Sequence, residues 1–326
     1  MTLHGGFTAS RGVGRRFVKV ILNSATAVAA GSSHTIVLKQ DGSVWGMGKN
    51  SKGQIGDGTR ISKDTFAFVK IIPGAKSVAA SGYHSIVVTQ EGGVWVTGWN
   101  RYGQLGDKKT AYATRLRQVF GMGAKEAAAG DVHSILTTKD TSVWATGRNY
   151  NGQLGDGSTI DKNSFVKVMA SGAASVVAGG YHSLVVKVDG SVWATGWNEY
   201  GQLGTGTTMD SVVYVMVYQT GARTAAAGRR HSIILNQDGS VWATGYNRYG
   251  QLGDGSVCDR TGFVQVISGE VTAVAAGAFH SMVLKEDGSI WATGSNEYGQ
   301  YGDESTKSKE KFVELAPFGN GAGHRI

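Results

Sequence analysis

The chain has 326 residues, a formal charge of +8 and fifty glycines against two prolines, with 41% of its residues apolar. That is enough apolar side chain for a core, but no run reaches the 18 or more residues that a membrane-spanning helix needs. Cys258 is the only cysteine, so no internal disulfide can form. The N-terminus, MTLHGGFTASRGVGRR, also lacks the apolar stretch of a signal peptide, and together these predict a cytoplasmic or nuclear protein.

Residues 1–16 match nothing else in the chain and are expected to form an irregular basic arm. Arg11, Arg15, Arg16, Lys19 and Lys39 fall within the first 40 positions without one acid. Such an arm can contact phosphate or an acidic partner, although no run of five like charges separates it from a solvated tail.

From position 17 the chain repeats itself. His34, His84, His133, His182, His231 and His280 recur at spacings of 50, 49, 49, 49 and 49 residues. Trp45, Trp95, Trp144, Trp193, Trp242 and Trp291 follow in register, and Asn50, Asn100, Asn149, Asn198, Asn247 and Asn296 each open an Asn-x-x-Gly-Gln block. A fixed period near 50 means one supersecondary unit copied and stacked, which overrides a two-domain reading of the length.

Each unit opens on an aromatic and β-branched run that reads as a short strand: 17–20, 68–71, 116–119, 165–168, 214–217, 263–266 and 312–315. A small-residue segment follows, such as Ala27-Val28-Ala29-Ala30-Gly31, too short for a stable helix and suited to a strand near a crowded axis. His-Ser-x-x-Val/Leu is a buried strand. Asp-Gly at 41–42, 189–190, 238–239 and 287–288 marks a hairpin in which both turn positions take positive φ. Val-Trp-Ala-Thr-Gly is the return strand, and a glycine-rich loop leads to the next unit.

Four short antiparallel strands per 50-residue unit define a propeller blade. The fold class is all-β: a β-propeller with six complete units closing a six-bladed ring. The alternative is a seven-bladed ring with one incomplete blade, because the opening strand occurs seven times and the other three strands six. The domain reading is an arm over 1–16, one propeller over 17–315 and a tail over 316–326.

The set Gly-x-x-His-Ser, Asp-Gly-Ser-Val-Trp and Gly-x-Asn-x-x-Gly-Gln-Leu-Gly resembles the repeat of the regulator of chromosome condensation family, shared with alpha-tubulin-suppressor-like proteins and some large ubiquitin ligases. The resemblance covers 17–315. It implies a propeller, usually seven-bladed, so six units are a departure. It also implies a choice of functions. Nucleotide exchange on a small GTPase, the founding member's role, goes with an insertion from one blade, and the even histidine spacing here disfavours that role. Ultraviolet reception goes with Trp between Gly and Arg-His, where this chain has Ser32, Gly82, Asp131, Gly180, Arg229 and Ala278. Protein binding needs only a suitable face.

No catalytic, metal or cofactor site is expected. One histidine per blade cannot converge on an ion with ligand distances near 2 Å, and neighbouring His and Ser on a strand point to opposite faces. Each histidine is expected to bond a backbone carbonyl, each Val-Trp tryptophan to fill core between blades, and Asn and Gln to bond their own loop. Asp57, Asp156 and Asp254 lack calcium-loop spacing. The glycine-rich loop lacks the lysine and the following helix of a phosphate loop.

The informative positions are those where the units disagree. Before His the chain has Ser33, Tyr83, Val132, Tyr181, Arg230 and Phe279; before Asn it has Lys49, Trp99, Arg148, Trp197, Tyr246 and Ser295. Strand parity puts both sets at one end of the blades, with the Asp-Gly turns at the other. Tyr, Trp and Arg dominate protein-binding hot spots, so the candidate protein-binding residues are Tyr83, Trp99, Arg148, Tyr181, Trp197, Arg229, Arg230, Tyr246 and Phe279. The repeating Tyr102, Tyr200, Tyr249 and Tyr298 fit loop packing better. The expected protein is a monomeric, non-catalytic scaffold for a protein partner. GTPase regulation and nucleic-acid or chromatin association through Arg148, Arg229, Arg230 and Arg248 are the alternatives.

Overall fold

A computed structural model of the chain describes residues 4–5 and 24–315. Within them lie six antiparallel sheets, which we number as blades 1 to 6: 25–71, 75–120, 124–169, 173–218, 222–267 and 271–314. Among the described residues there is no helix. In blade 5 the strands from the axis outward are Ala222–Ala227, His231–Asn236, Val241–Gly245 and Arg260–Ile267. Residues expected to be an irregular arm contribute His4–Gly5, a short fifth strand parallel to Ala29–Ala30 of blade 1. The opening run at 17–20 and the tail 316–326 lie outside the described residues.

The innermost strands are small for a steric reason: neighbouring inner strands meet around the axis, and alanines such as Ala29, Ala79, Ala127 and Ala225 are buried there. Five of the six cores form between blades rather than within one. Ile233, Leu235, Val241, Ala243 and Leu252 of blade 5 pack on Val271 and Val283 of blade 6, with Trp291 at the margin. Five of the six tryptophans thus pack between blades, half-buried, while Trp45 joins none of these cores. Except in Trp95, Nε1 donates to a turn serine, as Trp45 does to Ser43 at 2.9 Å, and except at Trp242 a lysine covers the ring, as Lys187 covers Trp193 at 3.8 Å.

Two local readings need correction. In blade 1 the outer-strand counterpart is Phe66-Ala67-Phe68-Val69, two residues earlier than 68–71. Trp45 pairs with Phe68, where Trp95 pairs with Gln118 and Trp144 with Lys167. The Asp-Gly hairpins are also not built with two positive φ angles. Gly42, Gly190, Gly239 and Gly288 have φ of 78–84°, while their aspartates stay out of the left-handed region and cap the turn by accepting from the serine N–H. This is a type I turn closed by a glycine bulge.

Blade 3 holds Thr141 at that glycine position, with φ 64°. A β-branched residue there is strained. Thr141→Gly is therefore expected to raise stability by about 1 kcal/mol, read as a higher urea midpoint. The gain is limited because Thr141 Oγ1 also accepts from the Gly172 N–H at 2.9 Å. An unchanged or lower midpoint would show that this bond outweighs the strain.

Candidate protein-binding face

Blades are joined by a repeated clasp, and it fixes where the face residues stand. His34, His84, His133, His182 and His231 place Nε2 at 2.8–3.0 Å from Oγ of Ser85, Ser134, Ser183, Ser232 and Ser281 in the next blade. Each serine donates its one proton back to a loop carbonyl of the first blade, that of Gln54, Gln104, Gln153, Gln202 or Gln251, at 2.6–2.8 Å. The serine oxygen must then accept from the imidazole, so the proton sits on Nε2 and Nδ1 is the bare nitrogen. The expectation of a direct bond from histidine to carbonyl is thus corrected to a relay through serine. Thr97, Thr146, Thr195, Thr244 and Thr293 grip a second loop carbonyl at 2.7–2.9 Å.

These pairs have the separation of a nucleophile and its base, but not the chemistry. The serine proton is committed to a carbonyl, Nδ1 of these five histidines has no partner and both residues are buried. Burial, helped by neighbouring imidazoles, lowers His84, His133, His182 and His231 from 6.5 to about 3. Burial alone lowers His34 and His280 to about 4. A base this weak does not activate a hydroxyl at neutral pH.

The loop residues behave as expected of turn scaffolding. Asn50 Oδ1 accepts from the Ile55 N–H at 3.0 Å, its Nδ2 donates to Asp57 at 3.0 Å, and Gln54 Oε1 accepts from the Lys52 N–H at 2.9 Å. Asp57, Asp156 and Asp254 are taken up by these bonds and by Lys63, Lys162 and Arg260.

One junction differs. Blade 1 carries Thr35 and Met47 where the other blades carry the clasping Ser and Thr. Among the described residues, neither the relay nor the loop-to-outer-strand bridge seen at Asp57–Arg115 or Asp254–Lys311 recurs between blades 6 and 1. The last core cluster, Met282, Ala292, Tyr301 and Leu315, holds no blade 1 residue.

With the loops held this way, the variable positions form a continuous crescent on one end of the blades. Lys49 covers Tyr83 at 5.5 Å, Tyr83 meets Trp99 at 5.8 Å, and Trp99 meets Tyr102 at 5.5 Å. Arg148 sits over Tyr102, Tyr150 and Tyr181 at 5.0, 5.8 and 5.8 Å. Tyr181 leads to Trp197 and Trp197 to Tyr200, at 5.7 and 5.4 Å. Arg230 lies over Trp197, Tyr200 and Tyr246 at 5.3, 5.1 and 5.7 Å. Tyr246, Tyr249 and Phe279 close the arc. Ser33 and Ser295 leave it open between blades 6 and 1.

Eight of the nine expected residues are brought together. Arg229 is not: it runs over Gly180 to meet Asp131 at 3.3 Å, linking blade 5 to blade 3 across the ring mouth. Burial pushes the Asp131 carboxyl above its usual range, and Arg229 offsets only part of that. Sequence parity found the set but missed the joints. Tyr102, Tyr200 and Tyr249, set aside because they repeat, are the links between variable residues, whereas Tyr298 is 55% exposed and outside the arc.

Six four-stranded blades clasped in series and bearing such a face define a β-propeller repeat protein. Two models of the regulator of chromosome condensation (RCC1) repeat match the chain, one at 41–88, 140–186, 189–235 and 238–284 and the other at 25–54, 75–104, 173–202, 223–251 and 271–300. The chain belongs to that family. Among curated protein sequences none matches it. Among solved structures it is similar to human WBSCR16, with 24% identity, 91% of this chain and 83% of that one covered, and a TM-score of 0.82. It is also similar to yeast RCC1 (Prp20) in its complex with Kap60, with 20% identity, 91% and 76% coverage and a TM-score of 0.81. A second structure of Prp20p from Saccharomyces cerevisiae, described with its binding to Gsp1p and histones, gives 20% identity, 91% and 78% coverage and 0.81. At these identities the likeness is one of fold.

Proposed function

We propose that this propeller is a non-catalytic scaffold that binds a protein partner through the crescent. The observation that supports it is the continuity of the arc: Tyr, Trp, Phe and Arg at positions free to differ between units are linked from blade 2 to blade 6, with repeated tyrosines as joints and Lys49 of blade 1 at one end. Half-buried, rigid aromatics with ordered guanidiniums bind at low entropic cost. Partner capture with the wild type beside a Tyr83, Trp99, Tyr181, Trp197 and Arg230 to Ala variant tests it, with circular dichroism confirming both folds. A partner retained only by the wild type is expected; equal capture by both would place binding elsewhere.

Regulation of a small GTPase is the second reading. It rests on the fold likeness to yeast RCC1, and the even spacing of the units does not by itself exclude it. Faster release of labelled GDP from a small GTPase in the presence of the chain would establish it.

A further inference from the structure

Five of the nine arginines on the described loops and outer strands form two contrasting groups. Arg117, Arg229 and Arg260 have carboxylate partners in Asp107, Asp131 and Asp254, at 3.0, 3.3 and 2.7 Å. Arg148 and Arg230 have none among the described residues. Each is instead held against three aromatic rings. Arg230 Nε is shut off from water with no hydrogen-bond partner, and its Nη1 reaches only the Tyr200 hydroxyl, at 3.5 Å. A guanidinium stacked on rings keeps its N–H edge free for a bidentate acceptor while its rotamer is already fixed.

We propose that the crescent receives an extended acidic peptide segment, with Arg148 and Arg230 each taking one of its carboxylates. This deepens, and rests on, the scaffold reading above. Three steps of 5.8, 5.7 and 5.3 Å, through Tyr181 and Trp197, link the two guanidiniums. An extended chain rising ~3.3 Å per residue covers that path in about five residues, so the two carboxylates are no more than that far apart in sequence. The flanking exposed charges point the same way: Lys49, Arg101 and Arg248 against Glu199 and Glu297.

Two other occupants fit less well. A second copy would set one positive face against another. Nucleic acid needs open ring faces for base stacking, but here the rings meet edge to face, at 60–88° in all but one pair of the arc, and their faces are taken by neighbours and guanidiniums.

The test is fluorescence anisotropy of labelled hexaglutamate at low salt. Binding is expected, with no binding of hexaglutamine. Arg148→Ala and Arg230→Ala should each weaken it by about tenfold, and Arg148→Lys and Arg230→Lys should recover only part. Lys139→Ala, in an exposed turn at the opposite end with the same charge change, should leave it unaltered. Equal losses in all three alanine variants would reduce the effect to net charge and overturn the proposal. So would tighter binding of a single-stranded oligonucleotide through the same arginines, or self-association abolished by Arg148→Ala. If hexaglutamate fails to bind while the crescent variant still loses a captured partner, the acidic class falls and the scaffold reading stands. If hexaglutamate binds but capture is unaffected by the crescent variant, the scaffold reading falls and with it this proposal.

Discussion

Gly228→Ala is expected to be among the most destabilising single substitutions in the propeller. An alanine Cβ there would lie 2.1 Å from His231 Cε1 and 2.4 Å from the Gly277 carbonyl oxygen. The imidazole cannot withdraw without releasing Ser281, 3.0 Å from its Nε2, and the carbonyl belongs to the inner turn of the next blade. Overpacking of this kind costs roughly 3 kcal/mol or more when backbone must move. Gly262→Ala is the control, since nothing lies within 4 Å of its Cβ position and its φ is not positive. In urea, Gly228→Ala should lower the midpoint strongly while Gly262→Ala leaves it near wild type. Equal midpoints would mean that the clasp does not hold the blades together. Gly31, Gly130, Gly179 and Gly277 face their histidines at 2.1–2.4 Å in the same way, an imidazole folded over a bare backbone, whereas blade 2 carries Ser81 there and its inner strand runs one residue further, to pair with His84.

Acid should unfold the protein cooperatively between about pH 4 and 6. Six imidazoles are kept neutral in the fold, four of them lowered to about 3 and two to about 4, from 6.5. Unfolded, they take up protons near 6.5. Below that value the unfolded chain binds more protons than the folded one, so stability is whole above pH 6.5 and is lost as the pH falls towards the folded values. Each site contributes up to about 1.4 kcal/mol per pH unit, and six together up to about 8. A total stability on the order of 5–15 kcal/mol cannot withstand that for long. The turn carboxylates Asp41, Asp140, Asp189 and Asp238 are lowered by hydrogen bonds from their serines or threonine and act only at lower pH. Circular dichroism against pH, with proton uptake measured on unfolding at pH 5, checks this. Uptake of about one proton, or a ring intact at pH 3.5, would show the histidines to be wetter than their clasps imply.

The blades were legible because His, Trp and Asn recur in register and turn glycines punctuate every unit. The outer-strand slip in blade 1 arose because Phe66 and Phe68 both fit the pattern, and only pairing with Trp45 separates them. The aspartate turn was misread because its sequence suits two hairpin types, and only the aspartate's own φ separates them. The partner of each histidine was hidden for a different reason: it lies about 50 residues away and across a blade boundary. A signal was nevertheless present, since Ser after His and Thr in the return strand both fail in the same unit, at Thr35 and Met47. The crescent was legible as a list of variable positions. That they touch through repeated tyrosines depends on rotamers and loop packing, which parity along a strand does not specify.

The clasp has a direction. Each of blades 1 to 5 offers loop carbonyls forward, and the following blade grips them with one serine and one threonine. An identical link can therefore be copied into or excised from the middle of the array without inventing any contact, because the new neighbours already speak the same chemistry. Only the outermost members are committed, one lacking the gripping hydroxyls and the other holding loop carbonyls that, among the described residues, no serine or threonine of another blade grips. In such a chain the interior copies are interchangeable in their contacts, and the end copies are marked by what they lack.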